Sequence, residues 1–317
     1  LIHRWKEGAL RVLLTGAGEF LGAFVLRRLA EAGDIHLTLL DVPEADLPRG
    51  LRRIRCDLCD QEATLKALRG RSYDVLLHLS ELRGSHGYAR LQSENALGTR
   101  NLLMALEDRV SRAVIAGSWA VYGEAIGDET LDELSYVDPA GPYGRSMAAR
   151  EALSREMAGI YGTEICILRL FSLVGPGQSP AEPVSGLARE LAGIKLGRFP
   201  SVLRTGPLDA RRDYVDVRDA AGAFTLAMAH RGHLPERMNV SSGRAPSLRK
   251  LLEAMTGSLG IDPKVEEERD GGPMLVRGDP SLAKRTLGWR AEIPLSRTLG
   301  DVIRHWIRTL RSPSGAR

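Results

Sequence analysis

TGAGEFLG, Thr15–Gly22, decides the fold. It follows the apolar run RVLLT (Arg11–Thr15) and leads into the helical stretch Leu21–Ala32. A strand, a glycine-rich turn and a helix, in that order, form the phosphate-cradling start of a dinucleotide-binding unit. Gly16 and Gly18 allow the turn a positive φ and a close approach of backbone to pyrophosphate. The helix then begins at Glu19, Phe20 and Leu21, whose free N–H groups and partial positive charge suit an anion.

The pattern continues on both sides of that turn. Further strands are expected at His36–Asp41, Arg52–Asp57, Asp74–Ser80, Arg112–Ser118 and Glu164–Leu170. Helical stretches at Asp60–Leu68, Gly87–Leu106 and Tyr143–Tyr161 separate most of them. Short, continuously apolar strands are those of a sheet buried on both faces. Their alternation with helices predicts an α/β fold, a Rossmann-type doubly wound parallel sheet over residues 1–170. Residues 171–317 read as a smaller α/β substrate-binding part, with some segments returning to the sheet. It includes a Gly/Pro loop (Gly175–Pro183), helices at Val184–Leu196, Asp219–Ala229, Ser247–Leu259 and Leu295–Leu310, and strands at Asp213–Val217 and Met238–Gly243. The closing SPSGAR reads as a frayed end.

Asp41 ends the second strand about twenty residues past the glycines, where an acid accepts the adenosine ribose hydroxyls and repels a 2′-phosphate. NAD is therefore expected over NADP. By position alone, Asp57 and Leu58 would meet the adenine, and Leu79 and Ser80 would line the cofactor after the fourth strand.

Composition narrows the classes. Forty-four Lys+Arg stand against 40 Asp+Glu, with the basic residues scattered, which is a solvated surface rather than a nucleic-acid face. Aromatics at 5% argue against single-strand binding. No apolar run reaches the ~18–20 residues of a membrane span. Three cysteines and no signal-peptide pattern fit the cytoplasm. Cys56 and Cys59 form a lone C-x-x-C at a strand end, which reads as structural, and no metal site is expected.

GSWAVYGE (Gly117–Glu124) follows the fifth strand and PYGRSMAARE (Pro142–Glu151) opens the next long helix. Here the chain resembles the extended short-chain dehydrogenases/reductases, a family of nucleotide-sugar epimerases, dehydratases and ketoreductases. The resemblance runs through NALGTRNLL (Asn95–Leu103) and RLFSLVGPGQ (Arg169–Gln178), where Ser172 replaces the family's asparagine. Three C-terminal stretches, Gly206–Phe224, Asn239–Leu252 and Gly278–Trp289, look most like the GDP-4-keto-6-deoxymannose reductases. The resemblance implies NAD as cofactor, with Asn95 near it, and a homodimer through helices Gly87–Leu106 and Tyr143–Tyr161. It also implies Ser118 and Tyr143 as catalytic groups, and a nucleotide-diphosphate sugar held by Ser118, Trp119, Ser172 and Arg212. Arg212 would clamp the diphosphate, a task suited to guanidinium; its alternative is an ion pair with Asp213. The dehydratases' Asp-Glu pair is replaced by Trp119 and Ala120, so elimination lacks its acid and base.

Two family positions depart. Glu19 stands where the family has glycine, and its side chain is expected to turn outward to water. Met147 stands at the catalytic lysine of Y-x-x-x-K and can carry no charge. A free tyrosine, pKa ~10, is ionised only about once in a thousand at neutral pH. The loss therefore hurts alcohol oxidation, which needs tyrosinate, more than ketone reduction, which needs neutral tyrosine. Arg145 lies off the tyrosine face, and Arg150 is about 10 Å along the axis, so neither is an obvious substitute. The leading expectation is an NAD(H)-dependent ketoreductase. Its rivals are an epimerase with retained NAD, a catalytically silent binding protein, and a reductase of a non-sugar natural product.

Overall fold

The computed structural model describes residues 9–41, 50–84, 86–123, 129–268 and 275–312. The SPSGAR tail beyond Ser312 therefore lies outside the described residues, as does Glu124. In chain order the first half contains β1 (Leu10–Thr15), α1 (Phe20–Glu31), β2 (Ile35–Asp41), β3 (Arg52–Arg55), α2 (Gln61–Leu68) and β4 (Tyr73–His78). There follow α3 (Tyr88–Leu91), a π-helical turn (Gln92–Leu97), α4 (Gly98–Leu106), β5 (Val110–Ser118), α5 (Pro142–Tyr161) and β6 (Glu164–Leu170). The remainder holds β7 (Ser172–Val174), α6 (Pro183–Lys195), β8 (Val202–Thr205), β9 (Arg211–Arg212), β10 (Tyr214–Asp216) and α7 (Val217–Ala229). Last come β11 (Arg237–Val240), α8 (Leu248–Leu259), β12 (Lys264–Glu267), β13 (Leu275–Val276), α9 (Ser281–Leu287) and α10 (Leu295–Arg311).

Seven strands form one parallel sheet in the order β3-β2-β1-β4-β5-β6-β11. β1 explains why its sequence is apolar throughout. Val12 and Leu14 enter the layer shared with α1 and α7, while Leu13 enters the opposite layer with α2 and α4. The strand order reverses between β1 and β4, and a crevice at the carboxyl ends of strands on either side of such a reversal is where α/β sheets bind ligands. A third apolar cluster joins α6, α8 and α10, where Trp306 Nε1 donates to Ser185 Oγ at 3.0 Å.

Two helices differ from their sequence reading. The stretch at 87–106 carries the π turn, which adds a residue to one turn and re-aims Asn95. α7 starts at Val217 rather than Asp219, because Asp216 is the N-cap and accepts the Arg218 N–H at 2.8 Å. One buried ion pair ties α5 to β6: Arg169 donates to both Glu151 oxygens at 2.9 and 2.6 Å. Removing one partner would strand a buried charge, at a cost of about 3–5 kcal/mol. Cys56 and Cys59 are free thiols, and burial raises both pKa values, that of Cys59 to about 11.

Candidate active site

The glycine turn is made by close backbone contacts. Gly16 has φ +70°, and a Cβ there would lie 2.5 Å from the Ser80 N; at Gly22 it would lie 1.8 Å from the Gly16 carbonyl oxygen. Only glycine lets β1, the turn and the end of β4 close this tightly. Phe20 and Leu21 begin α1, with Leu21 in the core and Phe20 edge-on to Phe24, so their main chain rather than their side chains faces the turn. Asp41 accepts the Gly18 N–H at 3.3 Å, which places its carboxylate beside the turn. Asp57 accepts the Cys59 N–H at 2.9 Å, and the Leu58 carbonyl accepts from Asn101, both beyond β3. Leu79 is buried, and the Ser80 carbonyl accepts from Arg150 at 2.5 Å.

Three expectations change. Glu19 does not turn out to water: both its carboxylate oxygens face the Glu81 N–H, at 3.2 and 3.3 Å. The donor just past β4 is close enough to outweigh solvation of the side chain. Burial, then the charges of Glu81 and Asp41, push the Glu19 carboxyl up to about 8, so it is mostly protonated at neutral pH. Asn95 presents no free group to a cofactor. Its amide holds the Leu82 N–H at 2.7 Å, the Leu82 carbonyl at 3.0 Å and the Ser146 hydroxyl at 2.9 Å, so it fixes the loop after β4. Arg150 reaches farther than its helical position suggests. It is fully buried and donates to the carbonyls of Asn95, Ala116 and Ser80. It lies near enough to Glu19, Glu81 and Tyr143 to bear on all three electrostatically.

The reacting end is made of side chains. Ser118 closes β5, and its Oγ accepts the Ala120 N–H at 3.2 Å. Gly144 lets α5 press against this turn, since a Cβ there would lie 2.4 Å from the Ala120 carbonyl oxygen. Tyr143 is thereby set beside Ser118, near enough for that hydroxyl to favour the ionised phenol. The Tyr143 hydroxyl donates to Glu81 Oε2 at 3.1 Å, and the other Glu81 oxygen is paired with Arg83. Burial, reinforced by Glu81, pushes Tyr143 far above the ordinary phenol range despite Arg83, Ser118 and Arg150. Met147 is fully buried in the apolar core.

Next to this end lies a cleft of about 370 Å³ lined by Arg83, Ser118, Trp119, Tyr143, Ser172 and Arg212, among others. Arg212 lies 6.0 Å from the centre of the Trp119 ring. Asp213, the alternative ion-pair partner, instead receives Ser242 N and Oγ at 2.7 and 2.6 Å, Gly243 N at 2.9 Å and Gly278 N at 3.2 Å. Gln178 donates to the Leu173 carbonyl, while its buried Oε1 has no partner among the described residues.

The family model described as the NAD dependent epimerase/dehydratase family matches residues 12–241. The chain belongs to that family. A curated relative, the GDP-6-deoxy-D-mannose reductase of Pseudomonas aeruginosa, is 28% identical over 95% of this chain and 98% of its own. UDP-glucose 4-epimerase of Azospirillum brasilense is 26% identical over 96% and 94%. The structure of RMD from Pseudomonas aeruginosa complexed with NADPH superposes with a TM-score of 0.84, at 27% identity over 95% of this chain and 99% of that one. UDP-glucose 4-epimerase from Thermus thermophilus in complex with NAD gives 0.81, at 27% identity over 94% and 99%.

As a member of this epimerase/dehydratase family the chain is an extended short-chain dehydrogenase/reductase with an NAD(P)-type site. The residues present fit a dinucleotide. The glycine turn admits no Cβ at Gly16 or Gly22, Asp41 stands beside that turn, and a protonated Glu19 would bring no charge to a diphosphate. Three residues escaped the sequence reading: Glu81, Arg83 and Gln178. The first two follow β4 at the reversal of strand order, where charged residues after a buried strand were the available signal. Gln178 closes a quoted motif but gave no sign of facing the cleft. Among the described residues no helix is long and apolar enough to cross a membrane, and no acid, His and Cys cluster could hold a metal.

Proposed function

We propose that this protein is a ketoreductase of a nucleotide-diphosphate sugar, using NAD(H). The observation that carries the reading is Tyr143. Held at the cleft beside Ser118 and kept protonated by burial, it is a proton donor at any physiological pH. A bound nicotinamide would supply or accept the hydride. Ser118 orients the carbonyl, Tyr143 protonates its oxygen, and Arg212 offers the diphosphate a guanidinium, Arg83 being paired with Glu81. The orphaned Gln178 acceptor suits a hydroxyl or N–H of the ligand. Asp41 supports NAD over NADP. An epimerase with retained nicotinamide is the second reading, favoured by Glu81, since a carboxylate at the phenol eases the oxidising half.

The same reading takes residues 1–170 as the cofactor-binding part and 171–317 as mainly the substrate part. It includes a cytoplasmic homodimer through α3–α4 and α5, supported by exposed Tyr88, Leu97 and Ile160. The test begins with denaturing the purified protein and identifying any released nucleotide. The stripped protein is then titrated with NADH and NADPH by fluorescence and offered GDP- and UDP-4-keto-6-deoxy sugars at 340 nm. Steady NADH consumption supports the reductase, sugar interconversion without it supports the epimerase, and no binding of either dinucleotide refutes both.

A further inference from the structure

A phenol that must act without a lysine needs another route for its proton, and one stands against it. Glu81 Oε2 accepts the Tyr143 hydroxyl at 3.1 Å, while Arg83 holds the other oxygen. The Glu81 side chain is only 6% exposed, and its main chain is fixed from both sides. The Ser80 carbonyl is held by Arg150, Leu82 by both ends of the Asn95 amide, and the Glu81 N–H by Glu19. Such fixation keeps a carboxylate aimed at one hydroxyl. The Glu81 carboxylate favours the protonated phenol at rest, and the hydrogen bond between them is a path along which that proton can pass.

We propose that Glu81 is a catalytic residue, the terminal proton acceptor and donor of a Glu81–Tyr143 relay that replaces the lysine-stabilised phenolate. In the oxidising direction, the substrate hydroxyl loses its proton to Tyr143 Oη as the Tyr143 proton passes to Glu81 Oε2. An oxidised nicotinamide, when bound, would take the hydride from the same carbon. The O–H bonds of substrate and Tyr143 break, those of Tyr143 and Glu81 form, and no phenolate arises. In the reducing direction each transfer reverses: protonated Glu81 gives its proton to Tyr143 as Tyr143 gives its own to the oxygen of the carbonyl that takes the hydride. Met147 is then tolerable in both directions, because the charge that moves is the one on Glu81 and Arg83 already faces it. Arg83 acts as a positioning residue.

This proposal rests on the redox reading above, so the test has a part that needs neither cofactor nor substrate. Protein carrying 13Cζ-tyrosine is titrated by NMR, with Tyr143→Phe assigning the resonance. Removing the Glu81 charge in Glu81→Gln is expected to move the Tyr143 titration to lower pH, and an unmoved titration overturns the pairing. With sugar and nicotinamide present, Glu81→Gln is expected to lose about 10²–10⁴-fold in kcat, the usual scale of acid–base catalysis, with little change in KM. Glu81→Ala plus formate is expected to regain turnover with a dependence on formate concentration. A merely structural Glu81 would give no formate rescue, and full activity in Glu81→Gln would likewise overturn the relay. If the wild type turns over no sugar and binds no dinucleotide, the redox reading fails and takes the relay with it, while an NMR shift would still report the pairing itself.

Discussion

The two ends of the cleft are made of different material. At the dinucleotide end the work is done by main chain and by missing side chains, with Gly16 and Gly22 leaving no room for a Cβ. At the end we propose to be reactive, the groups are the side chains of Ser118, Tyr143, Glu81 and Arg83, brought from β5, α5 and the loop after β4. A backbone site tolerates little change, because each glycine is fixed by a contact with other main chain. A side-chain site can trade parts, since a proton can move by charge or by relay. Each end carries one departure from the family pattern, Glu19 in the cradle and Met147 at the lysine position.

Substitutions at each end should separate these contributions. Tyr143→Phe removes the acid and little else, so kcat should fall about 10²–10⁴-fold. Thermal midpoint and NADH affinity should hold; if affinity collapses as well, the two ends do not act separately. Gly22→Ala places a methyl 1.8 Å from the Gly16 carbonyl oxygen. Overpacking of this kind costs about 1–3 kcal/mol, to be read from urea unfolding, and should weaken dinucleotide binding too.

Glu19 joins the ends, and its effect is expected to follow pH. Its carboxyl sits at about 8 in the fold against an ordinary 4.5. The folded state therefore holds this proton more tightly than the unfolded chain does. The stability it confers is full below about 4.5, declines as pH rises to about 8 and is absent above. The urea midpoint of Glu19→Gln should lack that share of the decline. Dinucleotide affinity of the wild type should weaken above pH 8, while that of Glu19→Gln stays flat; parallel curves would show that Glu19 does not face the diphosphate. The smallest effect is expected at Asp41. Removing one charge at contact in a solvated site is worth about 1 kcal/mol, so Asp41→Asn should lower the NADH-to-NADPH affinity ratio roughly fivefold.

The sheet was legible because its central strands are buried on both faces and so carry unbroken apolar runs, as Val12–Leu14 do. The glycine turn was legible because its spacing and context recur wherever backbone meets phosphate. Ser118 and Tyr143 could be picked out through their motifs, and Met147 by its departure from one. Glu81 could not, since nothing local says that the hydroxyl of residue 143 meets residue 81, sixty-two positions earlier. Asn95 was misread for a related reason. Its sequence context marks it as part of the site, yet only the π turn shows that its amide is spent on Leu82. The outward turn expected of Glu19 failed because solvation of a long side chain was weighed without the Glu81 N–H beside it.

The Asp213 carboxylate gathers Ser242, Gly243 and Gly278, and its carbonyl receives the Ser172 N–H. The stretch bearing Arg212 thus gets its anchor from residues translated 29 to 65 positions later than Asp213. During synthesis the Arg212 stretch must therefore wait for Gly278, sixty-five residues on from Asp213, before its anchor is complete. A nascent chain of this protein holds Arg212 before it holds the residues that fix it in place.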